Sequence, residues 1–140
     1  MNKRIINEMI PKAYTVLETV KIAKNGKINE NYRGQISSFG AAVIMGSLLP
    51  AVAYFSEQGD ADVDRTKIIK AITHLLYNNE KNVDKLNLFG TLKNQIGQGK
   101  NTVDTLLDEN YVKEKVINAA IALKLAMNLY DLGLIVEIQE

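Results

Sequence analysis

A chain of 140 residues with no cysteine, 17 basic and 16 acidic side chains has neither a disulfide framework nor a uniformly basic surface. The lack of cysteine excludes a thiolate metal site and a cysteine nucleophile, and it suits a reducing compartment. The net charge of +1 means that any electrostatic partner must contact a local patch. We expect a single domain over residues 1–140, because this length suits one hydrophobic core. We expect a cytoplasmic location, because no secretory signal is recognised.

The first helix is predicted from Ile6 onward, where apolar residues recur every three or four positions. Asn25-Gly26 is its expected stop, because Gly26 can adopt the left-handed conformation that ends many helices. Pro11 predicts either a kink in this helix or a helix start after a short separate segment. Residues 1–33 hold seven basic and three acidic side chains, which makes this part of the chain locally basic.

An uncharged run of 23 residues separates Arg33 from Glu57. That length is sufficient for a membrane-spanning helix, so residues 34–56 either cross a membrane or form the buried centre of a soluble bundle. We expect the soluble centre, because the run is rich in small and hydroxyl residues and because Pro50 divides it. Asn29 is expected to cap this second helix, which should break or bend at Pro50.

Asp60, Asp62 and Asp64 alternate as do the first ligands of a calcium-binding loop. The sixth position of such a loop should be glycine and is Arg65, and the twelfth should be glutamate and is Ala71. The segment therefore predicts a solvated acidic turn in which Asp64 caps the following helix. We expect no metal and no cofactor.

A third helix is predicted from about Arg65 to Tyr77, with an aliphatic face toward the core. Its opposite side places Lys67, Lys70 and His74 in one row, which is either an ordinary solvated face or a ridge that contacts phosphates. Neither a glycine-rich phosphate loop nor a nucleophile motif accompanies the one histidine of the chain. We therefore expect a protein that is not an enzyme.

The remaining chain predicts more helix. A fourth helix is expected from Val83 to Ile96, and the segment 97–101 marks a break. A short helix is expected over residues 102–109. The last helix is predicted from Tyr111 to Leu132, with Gly133 as its stop and an extended tail after it.

The last helix carries two apolar seams. One seam contains Val112, Val116, Ala119, Leu123, Met127 and Tyr130. The other contains Ile117, Ile121, Leu125, Leu129 and Leu132. A helix of a small bundle needs one apolar seam, so we expect the alanine-containing seam to pack inward. The second seam is then a candidate subunit interface, formed by Ile117, Ile121, Leu125 and Leu129.

The whole chain predicts an all-α fold, a compact bundle of five to six helices. Its apolar motifs are similar to those of a known family. They are Tyr32, Val43-Ile44, Gly46-Ser47-Leu48, Ala53-Tyr54-Phe55 and the alanine-rich segment Ala119-Ala120-Ile121-Ala122-Leu123. Together they resemble the small all-helical subunit of Cmr-type (type III-B) CRISPR effector complexes.

The resemblance implies a non-catalytic subunit, present in several copies along a filament, that helps to hold guide RNA and target RNA in antiviral defence. The partners that it implies are the other Cmr subunits, mainly the backbone subunit. It implies no association with a membrane. RNA held through its backbone needs only lysine and arginine on one surface. Charge and helical position make the RNA-binding candidates Arg33, Lys67, Lys70, Lys21, Lys24 and Lys27.

Two alternatives stay open from the sequence. One is a homo-oligomeric helical scaffold that acts without RNA. The other is a membrane protein that spans with residues 34–56. A small enzyme with an unrecognised site is the least favoured class, because no arrangement of carboxylates, histidine or cysteine supports it.

Overall fold

The computed structural model describes residues 1–59, 63–96 and 102–139, and for residues 102, 104–107 and 131–139 it describes the backbone alone. The predicted all-α fold is confirmed. The helices in the described part of the chain are α1 (Lys3–Thr19), α2 (Glu30–Met45), α3 (Leu48–Phe55), α4 (Thr66–Leu76), α5 (Leu88–Ile96) and α6 (Thr102–Gln139). Two short strands, β1 (Ala23–Lys24) and β2 (Lys27–Ile28), form a hairpin between α1 and α2.

The long helix α6 is the element around which the others pack. Its 38 residues rise over about 57 Å, and it contacts α1, α2, α4 and α5. Every residue of the alanine-containing seam is buried in one apolar core, as predicted.

Helices α1 and α6 run in the same direction, held by two polar contacts with the same sequence separation. The Asn118 side chain accepts a hydrogen bond from the backbone N–H of Asn2 at 3.1 Å. The Tyr130 hydroxyl donates to the carbonyl oxygen of Tyr14 at 2.7 Å, and the two rings stack with centroids 4.3 Å apart. Burial raises the pKa of Tyr130 above its usual range, so this hydroxyl stays protonated and keeps its role as a donor.

The uncharged run forms two helices. α2 ends at Met45 and α3 begins at Leu48, so the expected break at Pro50 is wrong. Pro50 lies in the first turn of α3, where its missing N–H has no helical partner to lose. Within the described ranges, no helix combines the length and the apolar character needed to cross a membrane.

Gly46 ends α2 in a conformation that leaves no room for a side chain. A Cβ atom there would lie 2.9 Å from the carbonyl oxygen of Ala42. This oxygen already accepts a hydrogen bond from the Gly46 N–H. We expect Gly46→Ala to lower the free energy of unfolding by about 1–2 kcal/mol, measured by urea denaturation.

Gly34→Ala is the matched control within the same helix. A Cβ atom at Gly34 would meet nothing within 4 Å, so alanine should raise the free energy of unfolding by about 0.5–1 kcal/mol through its higher helix propensity. Two shifts of the same sign would contradict this account of Gly46.

Several predicted boundaries need correction. Of the two alternatives for Pro11, the helix start is wrong, because α1 begins at Lys3 and continues through Pro11. The predicted fourth helix is a 3₁₀ turn at Val83–Lys85 followed by α5. Residues 102–109 belong to α6, which passes through Gly133, so the predicted stop and extended tail are wrong. A single glycine costs a helix only about 1 kcal/mol and does not end it. The predicted break at 97–101 lies outside the described residues.

Candidate nucleic-acid interface

Helix α1 ends six residues before its predicted stop, because the chain turns at Lys21. Lys21 adopts a left-handed φ of 65°. The N–H groups of Lys21 and Ile22 donate to the carbonyl oxygens of Glu18 and Leu17 at 3.1 and 3.0 Å. This is the Schellman pattern that usually employs glycine. The cap directs Lys21 and the residues after it away from the helix axis.

Asn25-Gly26 forms the turn of the hairpin, and the prediction that it ends a helix is wrong. β1 and β2 pair antiparallel, with Lys24 opposite Lys27. Both turn residues have positive φ, 55° for Asn25 and 77° for Gly26. Positive φ at both central positions defines a type I′ turn, for which Asn-Gly is the preferred sequence. The hairpin therefore holds Lys24 and Lys27 side by side.

Four of the six predicted RNA-binding residues line one cavity of about 740 Å³, here named the lysine cavity. The two strands of the hairpin provide two of the lysines, the turn after α1 provides one, and α4 provides the fourth. The four are Lys21, Lys24, Lys27 and Lys67. Asn29 and Tyr32 line it where α2 begins. Residues that are 46 positions apart in the sequence thus meet at one opening.

Lys67 is fixed against the hairpin side of the lysine cavity. Its Nζ donates to the carbonyl oxygen of Lys21 at 3.2 Å and lies 6.0 Å from the centroid of the Tyr32 ring. The ring contact is at the outer limit of a cation–π interaction. Neither partner carries a negative charge, so the charge of Lys67 can still attract an anion.

Asp64 brings a negative charge to the wall of the lysine cavity. Its Oδ1 accepts hydrogen bonds from the N–H and the hydroxyl of Thr66 at 3.0 and 2.6 Å, and so it caps α4 as predicted. Nearby, burial raises the pKa of Tyr32, so its hydroxyl is neutral at physiological pH. Among the described lining residues, four lysines accompany one carboxylate, so the formal charge of the lining is 4 − 1 = +3.

The other two RNA-binding candidates lie elsewhere. Lys70 is exposed one turn beyond Lys67 on α4, and Arg33 lies on α2; neither lines the lysine cavity. His74 does not continue the predicted row, because its side chain is only 13% exposed and its Nε2 lies 2.7 Å from Asp84 Oδ1. The basic row on α4 is therefore reduced to its two lysines.

A metal site is not evident in the described parts of the chain, which contain no group of three or more acidic or histidine side chains arranged to hold an ion. Asp60 and Asp62, the residues that suggested a calcium loop, lie outside these parts. The carboxylate of Asp64 is used for helix capping.

The second seam of α6 changes from half-buried to exposed along its length. Ile117 and Ile121 pack partly against the core, whereas Leu125 and Leu129 are 41% and 45% exposed. Beside the half-buried pair, α2 and α6 enclose a groove of about 280 Å³, whose α2 wall includes the exposed Ile44. The partial exposure of this seam is as predicted, and its role as a subunit interface stays a prediction.

Comparison with known proteins identifies no relative of this chain. No protein-family model, no curated protein and no solved structure matches it.

Proposed function

We propose that the protein is a non-catalytic RNA-binding subunit that holds the RNA backbone at the lysine cavity. The observation that carries this proposal is the convergence of Lys21, Lys24, Lys27 and Lys67 on one opening. Lysine binds phosphate as a flexible point charge, and the counterions released on binding favour the complex. Four such charges offer contacts to several successive phosphates.

The resemblance to small Cmr subunits gives the proposal its specific form. The protein would act in the cytoplasm, in several copies along the backbone subunit of a type III-B effector complex, and would contact guide RNA or target RNA. Contacts to phosphates position an RNA without reading its bases. Such contacts suit a complex in which base pairing between two RNAs provides the sequence specificity. RNA cleavage would belong to other subunits.

Isolation of the tagged full chain from a native extract tests this specific form. We expect larger Cmr-type subunits and a short guide-type RNA to co-purify with it. A chain that is recovered alone from cells that express such a complex would contradict the proposal.

RNA binding by the full chain should weaken steeply as salt rises. The logarithm of the binding constant for single strands falls by about 0.7 per neutralised phosphate for each unit in the logarithm of salt concentration. Three to four lysine contacts therefore predict a slope of about −2 to −3. Fluorescence anisotropy between about 50 and 200 mM salt measures this slope. An affinity independent of salt would contradict binding through phosphates.

A second candidate function is a homo-oligomeric scaffold that works without RNA. The exposure of Leu125 and Leu129 on α6 favours it, because adjacent exposed leucines often mark a protein contact. Sedimentation before and after nuclease treatment separates the two functions. Oligomers that persist without any bound RNA, from a chain that binds none, would support the scaffold.

A further inference from the structure

A second opening lies beside the lysine cavity. It has a volume of about 690 Å³, and its lining includes Tyr54 of α3 and Arg65. Gln58 lines both openings, and the neighbours Asp64 and Arg65 line one each. The two openings are therefore adjacent on the surface.

The second opening contains an arginine stacked on an exposed aromatic ring. The Arg65 guanidinium carbon lies 4.1 Å from the centroid of the Tyr54 ring. Arg65 is held there by a hydrogen bond from its Nε to the carbonyl oxygen of Glu57 at 2.6 Å. Tyr54 nevertheless remains 61% exposed, so much of its side chain is accessible to solvent.

The Tyr54 ring is also supported from the core. The buried Phe55 meets it edge to face, with centroids 5.4 Å apart and an interplanar angle of 68°. Phe55 in turn packs edge to face against the buried Phe39 of α2. An aromatic ring held in place before binding loses little conformational freedom when a flat ligand stacks on it.

The surroundings of the ring favour a nucleobase over an apolar partner. The wall of the second opening also carries the polar side chains of Gln35, Ser38 and Gln58, which can hydrogen-bond to base edges. Arg65 adds a positive charge at the ring itself. The lysine cavity continues on the other side of Gln58. A ligand that matches these features is anionic along its length and carries flat, polar-edged groups.

We propose that Tyr54 and Arg65 form a base-stacking site, and that the protein consequently binds single-stranded RNA in preference to duplex RNA. The phosphates lie at the lysine cavity and one unpaired base stacks on Tyr54. Unpaired bases stack on aromatic side chains and on arginine, whereas bases in a duplex are already stacked on each other. This inference rests on the proposed RNA-binding function and adds to it the substrate class and a residue that selects it.

The test compares one RNA sequence as a single strand and as a duplex, with the full chain and two variants. Tyr54→Ala should lower the affinity for the single strand by about 5- to 100-fold, with the salt slope unchanged, because stacking of one base is lost and no phosphate contact is removed. Tyr54→Phe keeps the ring and should bind as the unmodified chain does. Duplex affinity should be lower and should not respond to Tyr54→Ala.

A fluorescent base reports stacking directly. 2-Aminopurine placed in the single strand should be quenched when the unmodified chain binds, and Tyr54→Ala should abolish the quenching at saturating protein. Circular dichroism melting verifies that the variant is folded, as expected for a residue that is mostly exposed.

The outcomes separate the stacking site from the proposed function. Unchanged single-strand affinity in Tyr54→Ala, an equal loss for single strand and duplex, or a preference of the unmodified chain for duplex would overturn the stacking site. RNA binding at the lysine cavity would stand in these cases if the salt slope is retained. Absence of any RNA binding by the unmodified chain would overturn both.

Discussion

Leu123→Asp is expected to unfold the protein, whereas Leu125→Asp, two positions further along α6, is expected to leave it folded. Leu123 is completely buried and Leu125 is 41% exposed. An unpaired carboxylate in the core costs several kcal/mol, which is comparable to the whole stability of a domain, about 5–15 kcal/mol. Circular dichroism and urea denaturation of the two variants measure the difference.

The folded Leu125→Asp variant then tests the second seam as an interface. The carboxylate at position 125 would lie between Ile121 and Leu129. It should block self-association or incorporation into an effector complex, because any contact over this seam would bury the charge. Sedimentation and co-purification provide the measurement. If Leu125→Asp unfolds the chain, the seam is an interior one; if assembly is unaffected, the interface lies elsewhere.

Reversal of two charges in the lysine cavity should reduce RNA affinity on the order of 100-fold at low salt. Lys24 and Lys67 are suited to this test, because they reach the cavity from the hairpin and from α4. The double variant Lys24→Glu, Lys67→Glu should also make the salt slope shallower by about 1.4, as two phosphate contacts are lost from a single strand. Anisotropy titrations at several salt concentrations give both quantities.

Lys70→Glu is the matched control for this charge reversal. Lys70 lies on the same helix as Lys67 and is exposed, but it does not line the lysine cavity. We expect a much smaller loss of affinity from it than from Lys67→Glu. An equal loss would show that general surface charge, and not the cavity, attracts the RNA.

The periodic parts of the fold were predictable from the sequence, because a helix that packs on one side repeats its apolar residues every three or four positions. This holds for α4, whose predicted Arg65–Tyr77 range becomes Thr66–Leu76, and for the inward seam of α6. The length of α6 was less predictable, since Gly133 is compatible with both a helix end and a helix interior.

The hairpin was missed because the Asn25-Gly26 sequence is compatible with two different structures. A glycine with positive φ ends a helix in one context and completes a type I′ turn in another, and Asn25-Gly26 fits both. The end of α1 could not be recognised in the sequence, because it depends on a left-handed backbone conformation at Lys21, where glycine is usual. Lysine has no local preference for that conformation.

The candidate site was only partly predictable, because its residues come from elements that are distant in the sequence. Sequence reasoning found the lysines by their charge and found the pair on α4 by helical spacing. The meeting of Lys67 with the hairpin requires the packing of α4 against α1, which no local pattern encodes. The stacked pair of Tyr54 and Arg65 was likewise missed, because its members are eleven positions apart, one in the last turn of α3 and one just before α4.

The parallel pairing of α1 with α6 also affects how the chain folds during synthesis. Their contacts join residues 116 positions apart, and α6 leaves the ribosome after all the helices that it covers. The parts of α1, α2, α4 and α5 that pack against α6 therefore stay uncovered until the α6 segment has been translated. Such late, long-range contacts slow folding and prolong the exposure of aggregation-prone surface. The core of this chain is therefore completed only when α6 has been translated.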